Sequence, residues 1–322
     1  MLHIALISSS LDRAKQIDYL LQQSEIFKLI YSGSPDVTGA TMKKIRSHDP
    51  ELILVDLQDW PDIGRLSKQL PRQTRTGVIL GFGYDCHRQE RLALEDSGIV
   101  DLLPDPFTIS ELEVAAYDGL HRSSAIAGAN VLAFLPAKAG GGCSTVALNT
   151  AAALASGGKR VVLLECDRRS GILSILLNVE NRLNLDDALT AEELTPVLWQ
   201  QHIVEESGVH LLLANPGRRG PLLSWTHYFR LLSFLQEHYD FILADLPEVI
   251  NEATAELVRS AREVFIVCVP EVPSLKLGTL RCNELKTRNL QKVAIHSRRS
   301  WPARIRFSNK RQSLVFYGSS AV

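Results

Sequence analysis

The sequence is poor in the features that mark several common classes of protein. Five of its 322 residues are cysteine: Cys86, Cys143, Cys166, Cys268 and Cys282. They are odd in number and far apart, and no C-x-x-C pair occurs, which argues against a zinc ligand set and against a disulfide framework. No apolar run approaches the roughly 20 residues that a membrane-spanning helix needs. Neither sign of charge dominates: 35 Lys and Arg stand against 36 Asp and Glu, so no global field favours nucleic acid. Met1-Leu2-His3 opens directly on a strand pattern, without the basic and apolar regions of a signal peptide, and the expected compartment is the cytoplasm. The apolar fraction of 45% and the charged fraction of 22% are those of ordinary globular domains. The length suggests two domains.

The most informative stretch is 131-VLAFLPAKAGGGCSTVALNTAAALA-155. Val131–Leu135 is an apolar run of strand length. Lys138-Ala139-Gly140-Gly141-Gly142-Cys143-Ser144-Thr145 is a glycine-rich turn. An Ala/Leu-rich helix follows, with no breaker until Gly157. Glycines let backbone N–H groups converge on an anion, and the helix N-terminus adds its positive end. This pattern predicts a phosphate cradle. In the common P-loop, G-x-x-x-x-G-K-[ST], the lysine reaches the β/γ-phosphates and the hydroxyl binds Mg²⁺. Here Cys143 stands at the lysine position and Ser144 at the hydroxyl position.

The loop resembles the deviant P-loop of the ParA/MinD ATPases, K-G-G-x-G-K-[ST]-T. Lys138, Gly140, Gly142, Ser144 and Thr145 match, whereas Ala139 and Cys143 depart. Further motifs follow in the order of that family. Val161–Leu164 is a buried strand ending in Glu165-Cys166-Asp167, similar to the family's D-x-D. Tyr239-Asp240-Phe241-Ile242-Leu243-Ala244-Asp245-Leu246-Pro247 is a strand ending in an Asp, similar to its Walker B segment. Pro270-Glu271-Val272-Pro273-Ser274 resembles its P-E-x-x-S segment, and Asn149 matches an asparagine of the P-loop helix.

The resemblance implies ATP and Mg²⁺ as cofactors. Lys138 and Asp167 would be the catalytic residues. Gly140, Gly141, Gly142, Cys143, Ser144, Thr145 and Asn149 would hold the nucleotide. Ser144 and Asp245 would hold the metal. Without the in-loop lysine, hydrolysis is expected to be slow or absent.

Residues 1–122 alternate five strands with helices, which predicts a parallel doubly wound sheet. The expected strands are His3–Ile7, Phe27–Tyr31, Glu51–Leu57, Thr76–Leu80 and Val100–Leu103. The helices are Leu11–Gln23 capped by Ser10, then Gly39–His48, Arg88–Ser97 and one near Glu111–Gly119. This part resembles a response-regulator receiver domain. Asp56 matches the phospho-acceptor position, and L-P-D-P-F-T-I-S-E-L (103–112) resembles the family's K-P-F-x-x-x-E-L ending. The supporting chemistry differs: Ser8-Ser9-Ser10 stand for the acidic pair, Asp105 for the lysine, and Gly81-Phe82 for the hydroxyl residue. The expectation is a pseudo-receiver, with Asp56 a degenerate phospho-acceptor.

The expected organisation is a receiver-like domain (1–122), a linker (123–130), a ParA/MinD-like P-loop domain (131–285) and a basic divergent tail (286–322). The fold class is α/β with two doubly wound parallel sheets, flavodoxin-like and then P-loop NTPase. The tail carries lysines and arginines, no acidic residue, and Trp301 and Phe307 among them. Charge and aromatics of that kind suit anionic lipid or nucleic acid; a disordered or altered terminus is the other reading.

Together the two halves resemble the CpaE/TadZ pilus-assembly proteins. That resemblance implies an ATP-stabilised homodimer with Lys138 reaching the partner's phosphates. It also implies partners in a Flp/type IV pilus or secretion machine, with the protein at a cell pole or peripheral to the inner membrane face, and no nucleic-acid partner. The alternative is a scaffold in which both halves are inactive and protein partners carry the function.

Overall fold

The computed structural model describes residues 1–35, 44–45, 47–59, 77–83, 98–123, 130–180, 183–215, 220–287 and 315–317. The chain divides into two compact units, Met1–Ile126 and Ala127–Val322.

In the first unit the strands are β1 (Leu2–Ile7), β2 (Phe27–Gly33), β3 (Leu52–Asp56), β4 (Val78–Phe82) and β5 (Ile99–Leu102). Among the described residues two helices with full bounds accompany them, α1 (Leu11–Leu21) and α2 (Ile109–Ser123). The order is β2-β1-β3-β4-β5, all parallel. This is the flavodoxin-like order, with its switch point beside β1 and β3. Both faces of the sheet are covered, so β3 and β4 read as continuous apolar runs rather than alternating ones. Ser10 caps α1, its side chain accepting from the Arg13 N–H.

Several boundaries differ from the sequence reading by one to four residues. β4 lies two residues later than Thr76–Leu80, so Gly81 and Phe82 are inside the strand and Gly83 follows it. β2 continues to Gly33, and α2 continues to Ser123. Propensity patterns locate elements better than their ends. Most of the expected helix 39–48, all of 88–97, and residues 124–129 of the expected linker lie outside the described residues.

The second unit places β6 (Val131–Pro136) in the interior of a seven-stranded sheet. Its neighbours are β10 (Phe241–Asp245) and β11 (Glu263–Cys268), followed outward by β7 (Val161–Glu165) and β9 (Val209–Leu212). These five are parallel. The edges are antiparallel: β8 (Val204–Glu206) pairs β9, and β12 (Val315–Tyr317) pairs β11. The sheet is therefore mixed rather than wholly parallel.

Neither edge strand is expected from the sequence. The β8–β9 hairpin is only a few residues long, and its two-residue turn, Ser207-Gly208, has φ of 52° and 78°, the positive pair that a tight hairpin turn requires. β12 amends the reading of the tail as lacking regular structure; Trp301, Phe307 and most of that tail lie outside the described residues.

Alternate residues of β6 face opposite layers. Val131, Ala133 and Leu135 pack with Tyr228, Leu231, Leu232 and Leu235 of α7 (Trp225–His238) and with Leu257 and Val258 of α8 (Glu252–Ser260). Phe134 packs with Val146, Ala147 and Ala151 of α3 (Cys143–Ser156) on the other face. Smaller helices, α4 (Leu173–Leu177), α5 (Leu185–Thr190) and α6 (Pro196–Trp199), cross between β7 and β8, and α9 (Val272–Thr287) follows β11. All the parallel strands deliver their carboxyl ends to one edge, where a doubly wound sheet binds its ligand.

Candidate functional site

Between β6 and α3 the chain makes the turn 137–142. Gly140 and Gly142 have φ of 73° and 82°, a region that costs an L-residue with a side chain dearly and glycine little. Gly142 is the N-cap of α3, so the helix starts at Cys143 with its first N–H groups directed at the loop. A Cβ on Gly141 would lie 3.1 Å from the Lys138 carbonyl, so the backbone is packed as closely as a glycine allows. The glycine-rich strand-to-helix turn expected from the sequence is thus present, with the helix N-terminus at its end.

Asp245 ends β10 beside this loop and is almost fully buried. Burial raises its pKa from the usual carboxylate value to about 7. Hydrogen bonds from Ser144 and Cys143 oppose the rise, while the charges of Glu165 and Asp167 add to it. A buried carboxylate with so little compensation is short of a cation. A hydroxyl and a carboxylate are hard oxygen donors of the kind Mg²⁺ takes, in sites that depend on one or two protein groups plus phosphate oxygens. The pair Ser144 and Asp245 fits that role. Among the described residues no group of three or more His, Cys, Asp or Glu could hold a metal by itself. Cys143 points its thiol at Asp245; burial first, then that neighbouring charge, pushes its pKa well above the ordinary thiol value. It is a neutral group at this position.

The two carboxylates of the E-C-D segment play different parts. Glu165 is 1% exposed and accepts N–H bonds from Leu173 (2.7 Å) and Ala214 (3.0 Å). It is a structural clasp joining β7 to the segments after it, and burial raises its pKa. Asp167 sits at the loop edge, its Oδ1 accepting from the N–H groups of Arg169 (3.1 Å) and Ser170 (2.9 Å).

In this single chain Lys138 is paired with an intrachain carboxylate. Its Nζ lies 2.8 Å from Glu271 Oε2. The neighbouring Ala139 N–H donates to Glu248 Oε2 at 3.0 Å. Arg281 in turn ion-pairs with Glu248 (3.4 Å) and Glu284 (3.0 Å). Two carboxylates thus meet the cationic and N–H groups at the mouth of the loop. Asn149 turns back on its helix, its Nδ2 donating to the Thr145 carbonyl at 2.7 Å.

Sequence reasoning missed Glu248, Arg281 and the Arg168–Asp186 ion pair, in which Arg168 also donates to the Pro221 carbonyl at 2.8 Å. Glu248 directly follows the Walker B-like segment, three residues after Asp245, a proximity that could have drawn notice. Arg281 is far away in sequence and gives no local signal.

In the first unit, Asp56 is fully buried. Ser8 Oγ donates to its Oδ2 at 2.9 Å, and Arg13 Nε donates to the same oxygen at 2.8 Å. Arg13 Nη1 also bonds Asp105 at 3.0 Å. Asp105, which reversed the charge expected from the receiver-like pattern, is thus the second acceptor of an arginine that the sequence reading did not single out.

No profile of a known protein family matches the chain. Curated relatives do. A putative septum site-determining protein MinD of Emiliania huxleyi is 28% identical over 182 residues, covering 56% of this chain and 66% of that protein. MinD of Thermotoga maritima is 28% identical over 151 residues, covering 45% of this chain and 54% of that protein. Among solved structures, a ParA family ATPase from Chlorobium tepidum is 21% identical with a TM-score of 0.45, covering 49% of this chain and 68% of that one. The chain spans between about half and two thirds of the length of these two curated relatives. Over about half of its own length, this chain is similar in sequence to septum site-determining MinD proteins.

Proposed function

We propose that the second unit is a nucleotide switch that binds ATP with Mg²⁺, dimerises in the bound state, and positions or assembles a Flp/type IV pilus or secretion machine. The observation that carries the nucleotide reading is Asp245, buried with a pKa near 7 beside Ser144 at the mouth of a loop with two positive-φ glycines. The pilus role rests on the order of a receiver-like half before a MinD-like half, as in the CpaE/TadZ proteins.

Mg²⁺·ATP, when bound, supplies the phosphate charge that such a switch reads. The chain's own groups do the remaining work. Backbone N–H groups of the loop and of the first turn of α3 present donors to an anion. Ser144 and Asp245 would hold the metal, Asp245 giving up the proton that burial lets it keep near neutrality. Lys138, now on Glu271, and the Ala139 N–H, now on Glu248, would be the cation and donor available to phosphate. Asp167, at the loop edge, is the candidate for orienting water.

Cys143 supplies no cation. Hydrogen bonds to charged groups are worth about 1.5–3 kcal/mol, and the loss is felt most where charge shifts in the transition state. Binding is therefore expected to persist while hydrolysis is slow. Calorimetry with Mg²⁺·ATP on the full chain and on Lys138→Ala, with light scattering for dimerisation, tests the switch. Binding that needs Lys138 and drives dimerisation supports it. No binding at millimolar ATP supports the second reading, a scaffold acting through protein partners, which Cys143 itself favours. Turnover at ordinary ATPase rates, lost on Asp167→Ala, would contradict slow hydrolysis.

A further inference from the structure

The receiver-like pattern of the first unit implies a divalent cation beside Asp56, since an aspartate accepts a phosphoryl group only where a metal offsets the meeting of two anions. The residues present do not fit one. Ser8-Ser9-Ser10 bring hydroxyls where carboxylates would be needed. The place beside Asp56 is taken by the Arg13 guanidinium, with its Nε at 2.8 Å from Asp56 and its Nη1 at 3.0 Å from Asp105. The Arg13 Cζ lies 5.3 Å from the centre of the Phe82 ring, a stacked position that holds the planar group in place.

Gly83 gives a second, independent observation. It has φ of 81°, and a Cβ there would stand 2.6 Å from Arg13 Nη2 and 2.7 Å from Asp56 Oδ1. The residue after β4 is thus the one type that leaves room for this arginine. Any side chain at Gly83 would collide with the guanidinium.

We propose that Arg13 is the resident cation of this site: it replaces the metal, bridges Asp56 to Asp105, and makes the first unit a metal-independent module whose Asp56 is not phosphorylated. The bridge ties the start of α1 to the end of β3 and to the segment before α2, so the carboxyl edge of this sheet is held in one arrangement without any ligand. Asp56 is 1% exposed at its side chain and Arg13 24%, so the pair is desolvated on the acid side. Breaking such a pair leaves a buried charge uncompensated and is strongly destabilising, whereas removing both charges is far milder.

The test uses the full chain, with Mn²⁺ as probe and acetyl phosphate as phosphoryl donor. Wild type is expected to show no Mn²⁺ binding that depends on Asp56 by electron paramagnetic resonance, and no phosphoryl addition to Asp56 by mass spectrometry. Arg13→Ala is expected to lower the folding equilibrium of the first unit by roughly 100-fold, and Arg13→Ala with Asp56→Asn to recover much of that loss. Gly83→Ser is expected to destabilise both chains through its positive φ and the Asp56 contact, and wild type more than the Arg13→Ala chain. If Arg13→Ala does not fold, Asp56→Asn and Arg13→Lys serve instead, and each is expected to weaken the unit. Asp56-dependent Mn²⁺ binding or phosphorylation in wild type, or strictly additive effects of Arg13→Ala and Asp56→Asn, would overturn the proposal.

Discussion

Replacing Asp245 by asparagine should stabilise the nucleotide-free protein at pH 8 and leave it nearly unchanged at pH 4. The carboxyl group has an ordinary pKa of 3.8 in the unfolded chain and about 7 in the folded one. A raised folded value means that the folded state holds the proton more tightly. The favourable contribution is complete below about pH 4 and is lost as pH rises through 7. The difference is about three pKa units at 1.36 kcal/mol each, or about 4 kcal/mol of burial penalty carried by the ionised group above pH 7. Asparagine has no charge to bury, so the variant should gain most of that amount at pH 8. Saturating Mg²⁺·ATP should reverse the order, because ligand binding stabilises the form that binds it and the variant loses the metal-side oxygen. Hydrogen exchange of peptides spanning Phe241–Asp245, followed against urea at both pH values, reads the second unit directly. A variant less stable than wild type at pH 8 without nucleotide, or a difference that does not change with pH, would refute the reasoning.

Three further outcomes follow from the same geometry. Glu271→Gln removes the carboxylate that holds Lys138; since both partners are partly exposed and such pairs are worth up to about 1 kcal/mol, Mg²⁺·ATP affinity by calorimetry should rise roughly two- to fivefold. Cys143→Lys restores a cation to the loop beside Asp245; nucleotide affinity should rise about tenfold and hydrolysis, measured by phosphate release, should speed up more than binding does. His210 Nδ1 lies 2.6 Å from the Tyr239 hydroxyl, which also takes the Trp199 indole N–H at 2.6 Å. Burial lowers the His210 pKa, so the folded state resists its protonation and stability should fall as pH drops below about 6.5. His210→Asn should blunt that acid-side loss in pH-dependent thermal melts.

The order of elements could be read from the chain by itself because it is a matter of local pattern. Apolar runs of strand length between helical segments specify α/β layers, and three consecutive glycines before an Ala-rich stretch specify a turn into a helix. Asp245 at the end of its strand was likewise visible, since strand and carboxylate are adjacent in sequence.

What the sequence withheld depends on residues brought together from far apart. Glu165 looks like a partner of Asp167 but is turned inward by N–H groups from residues 173 and 214. Lys138 looks free to reach a second subunit, yet Glu271, 133 positions away, holds it. Asp105 looked like a lost lysine until Arg13, 92 positions earlier, supplied its counter-charge. Propensity and periodicity act over a few residues, so they set where strands and helices run. Desolvation and ion pairing act across the fold, so only the tertiary structure decided which carboxylates are clasps, which stand ready for a cation, and which already have one.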